Sequence, residues 1–393
     1  MNSRVETYGL AAAFSLEEAA ELIEAGHPDA ERLHRAVHEN LFVDVVESRQ
    51  VFSWDQHRVH ADFLPALAWL MRSVRVEPGE LVIPAAVTKR LEDMARAHRR
   101  HGFPAELYST LASAFGKALR DVGASTTISR RLSSVFTQVC EVMRAAHHAA
   151  DVAGVPPAYA GRVVAVDKPN RATAILHVEI GTALDCAPGQ SVPVTSSLLP
   201  GTWREMTPAV PVDATGQLEF HLAAAGDAST SLIRSHPGDW WTLGAPAQDF
   251  PAGAGNAEVL VSRSTGWAAH KAHLLALWAD VAAGNVPEPP RIDVIRLAES
   301  PGAFYDTHFQ ENFAALAPWV RFYHLAESPR DPWLLSPADP AQLLDVAVTD
   351  DAAAAITAIA GGRPTHVVGP GITRLASRVG GEAADWQPAG FQA

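Results

Sequence analysis

The residues that open a chemical reading lie between Val87 and Leu119. Val87, Leu91, Met94 and His98 recur at gaps of four, three and four, which is one face of an α-helix at about 3.6 residues per turn. The face is apolar until its last member, an imidazole. Gly102 then predicts a helix end, and Pro104 suits the first turn of the next helix. Leu111, Phe115 and Leu119 continue an apolar face there. The pattern sets His98 near the end of one helix and Tyr108 near the start of the other. A neutral imidazole facing an apolar cavity is a good ligand for haem iron. The chain has 17 histidines, and a lone histidine is more often solvated or hydrogen-bonded than a ligand, so spacing alone leaves both readings open.

The elements that would position these residues follow from capping and periodicity. Ser15 with Glu18 reads as a capping box that opens a helix over about 16 to 25. A second helix starts after Pro28 and carries Leu33, Val37, Leu41 and Val45. A third runs from about His60 to Val74, and after the two central helices a last one spans about Ile128 to Ala150. With no strand signal, residues 15–152 form an all-α domain of globin size behind a loose extension, residues 1–14. Residues 153–254 begin in a Pro- and Gly-rich linker and turn to period-two alternation in RVVAVD, ATAILHVEI, QSVPVTS and QLEFHLA, which predicts an antiparallel β-barrel. Residues 255–393 alternate apolar strands (EVLVS, IDVIRLA, VRFYHLA, THVVG) with helical or loop segments, which predicts an α/β domain with a parallel sheet.

Composition bounds the function. A chain of 393 residues holds two or three domains, and 48% apolar with 19% charged residues is globular. A net charge of −13 argues against a nucleic-acid surface, which needs clustered Lys and Arg. Cys140 and Cys186 lie far apart without metal spacing, so a reducing compartment is expected. There is no signal-peptide pattern and no run of about 18 apolar residues, so a cytoplasmic protein without a membrane span is expected.

The interval from His98 to Tyr108, with Pro104 and Glu106 between, resembles the proximal helix and following corner of flavohaemoglobins. In that family a globin precedes a ferredoxin-reductase-like FAD/NAD(P) module, an order the three predicted domains match. The resemblance implies haem b on His98, with Tyr108 beside it. It aligns VFSWDQHR with the family's short corner segment, which puts Phe52 against the haem. It places His38 where the family has a Tyr that hydrogen-bonds the bound gas, and Asp62 where the family has a Gln. It places His147, to within one residue, where the family has a Glu that bonds the proximal Tyr. A carboxylate there pushes electron density toward the iron, which an imidazole does less well.

In the barrel, Pro188, Gly189 and Gln190 match the family's Pro-Gly-Gln turn, and Gly238, Asp239, Ala245, Pro246 and Phe250 match its closing strand. The family's Arg-x-Tyr-Ser motif becomes Arg204, Glu205, Met206, Thr207. Arg204 suits a phosphate and Thr207 keeps a hydroxyl, but Met206 replaces the aromatic ring expected against the flavin. Ser229 stands for the family's phosphate-contacting Ser, preceded by Ala223 to Ala225 in place of basic residues. The nucleotide turn reads Ser262, Arg263, Ser264, Thr265, Gly266, Trp267 and has one of the expected glycines, with Trp267 bulky where the cofactor needs close backbone. Gly369 and Pro370 match the family's later turn, while DWQPAGFQA has no counterpart of its C-terminal aromatic segment. FAD at Arg204, Thr207 and Ser229 is therefore left open, and NAD(P) is not expected.

These departures together weaken a path from NAD(P)H through FAD to haem. The leading expectation is a haem-binding flavohaemoglobin-like protein with a degenerate reductase module, in a gas, redox or haem sensing role or a regulatory interaction. Its partners would be a diatomic gas (O2, NO or CO) and a protein. One alternative is an active NAD(P)H- and FAD-dependent nitric oxide dioxygenase. Another is a cofactor-free structural or interaction protein.

Overall fold

The structure is a computed structural model that describes residues 9–11, 13, 15–46, 63–77, 80–199, 202–224, 226–246, 258–329 and 346–385. The chain divides into two compact units, one before and one after the junction of Ala158 and Tyr159.

The first unit is helical. Helix α1 is Leu16–Glu24, and its capping box forms as read: the Glu18 amide donates to Ser15 Oγ and the Ser15 amide to Glu18 Oε2, both at 3.1 Å. Helix α2 is Pro28–Asp44, with Pro28 at its first position. Helix α3, Phe63–Ser73, is followed by a hairpin of β1, Arg75–Glu77, and β2, Glu80–Val82. The hairpin departs from the all-helical expectation, because runs of three residues are too short to show a period of two. Then come α4, Ala85–His98, α5, Leu107–Asp121, and α6, Thr126–Val152. Helix α2 packs on α5, α5 on α6, α4 on α6 and α1 on α3. Phe115 and Phe136 stack at 4.2 Å between ring centroids at the centre of this core. Truncating such a buried ring costs about 3–5 kcal/mol.

The second unit opens with an antiparallel sheet ordered β6-β5-β8-β3-β4-β7. Its strands are β3, Tyr159–Asp167, β4, Thr173–Glu179, β5, Val192–Ser196, β6, Arg204–Met206, β7, Gln217–Ala223, and β8, Trp240–Leu243, with a short helix α7, Asp227–Leu232, after β7. The end strands approach one another: Pro208, just past β6, bridges to Phe220, and the Ala209 amide donates to the Glu219 carbonyl at 2.7 Å. The sheet is thus nearly closed around Leu176, Val192, Val194, Phe220 and Trp241.

The same unit continues with six parallel strands ordered β12-β11-β10-β9-β13-β14. They are β9, Val259–Arg263, β10, Ile292–Ala298, β11, Val320–Ala326, β12, Val346–Val348, β13, Thr365–Gly369, and β14, Glu382–Asp385. The helices are α8, Trp267–Ala282, α9, Thr307–Leu316, α10, Ala352–Ala360, and α11, Thr373–Val379. Alternate strand residues feed two cores. Leu260 and Val294 meet Trp267 and Leu274 of α8, while Val261, Ile295 and Val367 meet Ile356 of α10 and Ala376 of α11. Every residue of β10 is buried, as a central strand covered on both faces requires. No described helix is long and apolar enough to cross a membrane.

Candidate functional site

Helix α4 ends at His98, and a 3-10 turn over Arg99–His101 leads to Gly102 at φ 70°. That left-handed turn reverses the chain into α5, where Tyr108 is buried. Tyr108 Oη lies 3.1 Å from His98 Nδ1 with the rings near parallel, and Phe103 packs on both. Burial, then the positive charge of His101 and Arg100, lowers the His98 pKa to about 3. His98 is therefore neutral at physiological pH, and the bond at Nδ1 leaves Nε2 as the nitrogen that could meet a metal. Its ring keeps some surface, while Tyr108 is enclosed. His147 of α6 stands edge-on to Tyr108, at 6.0 Å between centroids, with its Nε2 3.4 Å from Asp151 Oδ2. The donor set is one neutral imidazole oriented by a phenol, and it fits a haem iron.

His38 lies on α2, with Nδ1 donating to the His34 carbonyl at 2.8 Å. It packs in an aromatic group with His34, Phe42 and Phe63, and burial lowers its pKa. Phe52 and Asp62 lie outside the described residues.

In the second unit Arg204 and Thr207, with Ser229 from a later stretch, line one cavity of about 340 Å³. The turn Ser264–Gly266 and the pair Gly369 and Pro370 close its far side. Glycine is needed at two places here. A Cβ on Gly266 would stand 2.4 Å from the Val368 carbonyl oxygen, and one on Gly369, at φ 142°, would stand 2.4 Å from the Arg263 carbonyl oxygen. Ser264 takes a left-handed φ of 51°, a conformation that favours glycine. The backbone shape of a glycine-rich turn thus persists where the sequence keeps few glycines.

One expectation at this cavity is corrected. Trp267 does not project where a cofactor would approach. Its ring is fully buried beneath the sheet against Phe309 and Phe322, and its Nε1 donates to Asp306 Oδ2 at 2.8 Å. The helix phase at its N-terminus turns residue 267 to the core. The Arg263 guanidinium pairs with Glu327 at 2.7 Å. Met206 packs into the barrel core, and among the described residues lining the cavity none is Phe, Tyr or Trp, although the His221 imidazole reaches it. Among the described lining residues Arg204 is the one Arg or Lys, beside Glu205, Asp227 and His221. Among the described lining residues, Arg204 offers a guanidinium to a phosphate and no Phe, Tyr or Trp offers a face to a flavin ring.

Sequence reasoning missed the buried ionic group next to this cavity. Lys271 Nζ donates to Glu219 Oε1 at 2.8 Å and Asp306 Oδ2 at 2.9 Å, and lies over the Phe309 ring. His221 bridges Glu219 Oε1 at 2.7 Å and the Tyr305 hydroxyl at 3.1 Å. Burial acts to raise the Glu219 pKa, but the His221 hydrogen bond and charge and then Lys271 lower it to about 2. Burial lowers the proton affinity of His221 itself, against the pull of Glu219. Glu219, His221 and Asp306 could ligate a metal by spacing. The Lys271 ammonium already takes the cation's place between the two carboxylates.

No protein-family model matches the chain, and no curated protein matches it. Solved structures show the class of fold, a multidomain chain whose second unit is ferredoxin-reductase-like. The particular likeness is to the flavohemoglobin from Malassezia yamatoensis, a crystal structure with bound FAD and heme. It covers 94% of this chain and 98% of that one at 13% identity with a TM-score of 0.57. The FAD/NAD binding domain of nitric oxide dioxygenase from Vibrio cholerae covers 58% of this chain and 98% of that one at 13% identity, with a TM-score of 0.42. An Amycolatopsis cytochrome P450 reductase covers 59% and 70% at 17% identity, with a TM-score of 0.48. At these identities likeness speaks for the fold alone, and only the first score is high enough to carry it.

Proposed function

We propose that the chain is a haem-binding, flavohaemoglobin-like protein whose helical unit is a globin and whose reductase module is degenerate. It acts in gas, redox or haem sensing, or in a regulatory interaction built on that scaffold. The observation that carries this reading is the neutral His98 held at Nδ1 by Tyr108 across the corner between α4 and α5. His98 is the iron ligand through Nε2, and Tyr108 fixes its ring plane and tautomer. Phe52, His38 and Asp62 belong to the remaining haem surroundings by resemblance alone. Haem bound there supplies an iron centre for a diatomic gas (O2, NO or CO).

The degenerate-reductase part rests on the second unit's cavity, where the described lining residues set one Arg against two carboxylates and include no Phe, Tyr or Trp. A hydride and electron path requires both dinucleotides to be held in register, which is the protein's contribution to such chemistry. The expectation that NAD(P) is not bound gains nothing from the comparisons. With Trp267 turned into the core and the Ser264–Gly266 turn keeping a glycine-like backbone, the two sequence departures that motivated it lose their force.

One observation favours a second reading, an active NAD(P)H- and FAD-dependent nitric oxide dioxygenase. Arg204, Thr207 and Ser229 converge on one cavity with a turn that keeps a glycine-like backbone. The test is to mix haem-loaded protein anaerobically under CO with FAD and excess NADH or NADPH, and to follow formation of the ferrous-CO spectrum. No reduction over minutes is expected. Reduction within seconds at stoichiometric flavin would replace the first reading with the second.

A further inference from the structure

We propose that Tyr305 is a redox-active tyrosine, which gives one electron to a high-potential one-electron oxidant and its phenolic proton to His221. The assignment is independent of the haem reading. A phenol loses an electron readily only when its proton can leave at the same time, because the oxidised phenol is a strong acid. Such a tyrosine therefore needs a base in hydrogen-bond contact, a counter-charge for the proton that the base takes up, and shelter from solvent.

Tyr305 has all three. It is 3% exposed, just before α9, and its hydroxyl lies 3.1 Å from Nδ1 of His221, whose side chain is fully buried. The rings meet edge to face at 5.3 Å between centroids. His221 Nε2 lies 2.7 Å from Glu219 Oε1. A carboxylate only accepts, so the ring hydrogen sits on Nε2 and Nδ1 presents its lone pair to the phenol hydrogen. The contact is short enough for direct proton transfer. Burial raises the Tyr305 pKa above its ordinary value, so the phenol keeps its proton until the electron leaves. Burial also lowers the His221 pKa, against the pull of Glu219, so near pH 8 Nδ1 is free to take a proton.

In the oxidation the Tyr305 O–H bond breaks, an N–H bond forms at His221 Nδ1, and the electron passes to the oxidant. The products are a neutral phenoxyl radical and an imidazolium. Glu219 meets the new charge directly. Against burial, it is kept ionised by the His221 hydrogen bond and charge and then by Lys271. Lys271 and Arg296 oppose an added positive charge and Asp306 offsets it, but Glu219 is the carboxylate in contact with the ring. Return of one electron brings the proton back along the same bond. Trp267, a second oxidisable ring, lies across the Arg296 guanidinium, which stands 4.7 Å from its centre and 5.2 Å from that of Tyr305. His221 also lines the cavity of about 340 Å³, which places an oxidant bound there one side chain from Tyr305.

The test oxidises the full chain near pH 8 with photogenerated tris(bipyridine)ruthenium(III), freezes it at once and records electron paramagnetic resonance. Wild type should give a neutral tyrosyl radical. Tyr305→Phe, which removes only the hydroxyl, should lose it although every other tyrosine remains. In His221→Gln the yield should fall several-fold, because an amide accepts a hydrogen bond but not a proton. Should His221→Gln fail to fold, electron–nuclear double resonance of the wild-type radical in H2O and D2O replaces it, and an exchangeable proton on the radical oxygen is expected. No tyrosyl radical in wild type would overturn the proposal, as would an undiminished radical in Tyr305→Phe. An equal yield in folded His221→Gln, or no exchangeable proton at the radical, would equally overturn it.

Discussion

Lys271 and His98 show what a single residue reveals and what it conceals. His98 was legible because its partner Tyr108 lies ten residues on, across one helical corner, and local periodicity carries that information. Lys271 was not, because its partners Glu219 and Asp306 lie 52 and 35 residues away in other elements. Nothing in its own stretch marks it as anything but a helix-surface Lys. In the fold its side chain is 6% exposed and neutralises two carboxylates that are 13% and 12% exposed. Lys271→Met should leave both carboxylates enclosed without a cation, at a cost of about 3–5 kcal/mol. A urea titration should show the second unit unfolding at clearly lower denaturant, while helical signal from the first unit is retained. An unchanged midpoint would mean that the group is too well solvated to matter.

At the scale of elements, the helices and central strands were readable from their periods, and their ends from caps such as Ser15. The short hairpin of β1 and β2 was not, nor was the direction of Trp267, which depends on how α8 is rotated against the sheet. The turn after β9 was read as degenerate because glycines were counted, while Gly369 and Pro370 after β13 were read as matching. The conformation persists where Ser264 takes a left-handed φ, and Gly266 and Gly369 remain where two backbones touch. Gly266→Ala and Gly369→Ala should each force the two turns apart and lower the thermal midpoint by several degrees. Gly226→Ala, at an extended φ with nothing within 4 Å of the added Cβ, should leave it nearly unchanged. Equal effects at all three positions would show that the close approach of the turns is not what requires glycine.

Across the whole molecule the order of layers was legible, because each layer type has its own hydrophobic period. Which polar groups became enclosed was not, since burial is decided by the packing of distant elements. His270 and His366 illustrate this: they touch at 3.1 Å beneath the parallel sheet. Burial holds the pKa of His270 well below 6.5, with His366, His273 and Arg296 adding to it, and burial with His273 lowers that of His366 to about 4. Between pH 6.5 and 4 the unfolded rings bind protons that the folded rings refuse. Their contribution to stability is therefore complete above pH 6.5 and is lost as the pH falls toward 4. The thermal midpoint should drop over that interval, and the drop should shrink in His270→Gln; a midpoint flat from pH 7 to 4.5 would contradict this. The central claim, that this chain holds haem on His98, is tested most directly by hemin titration of wild type and His98→Ala, followed by absorption spectra of the ferric, reduced and CO-treated forms. Wild type should take up one equivalent with a sharp Soret band and form a ferrous-CO species, and His98→Ala should lose most of that haem or its spectrum. Undiminished haem content with an unchanged Soret band in His98→Ala would contradict the account.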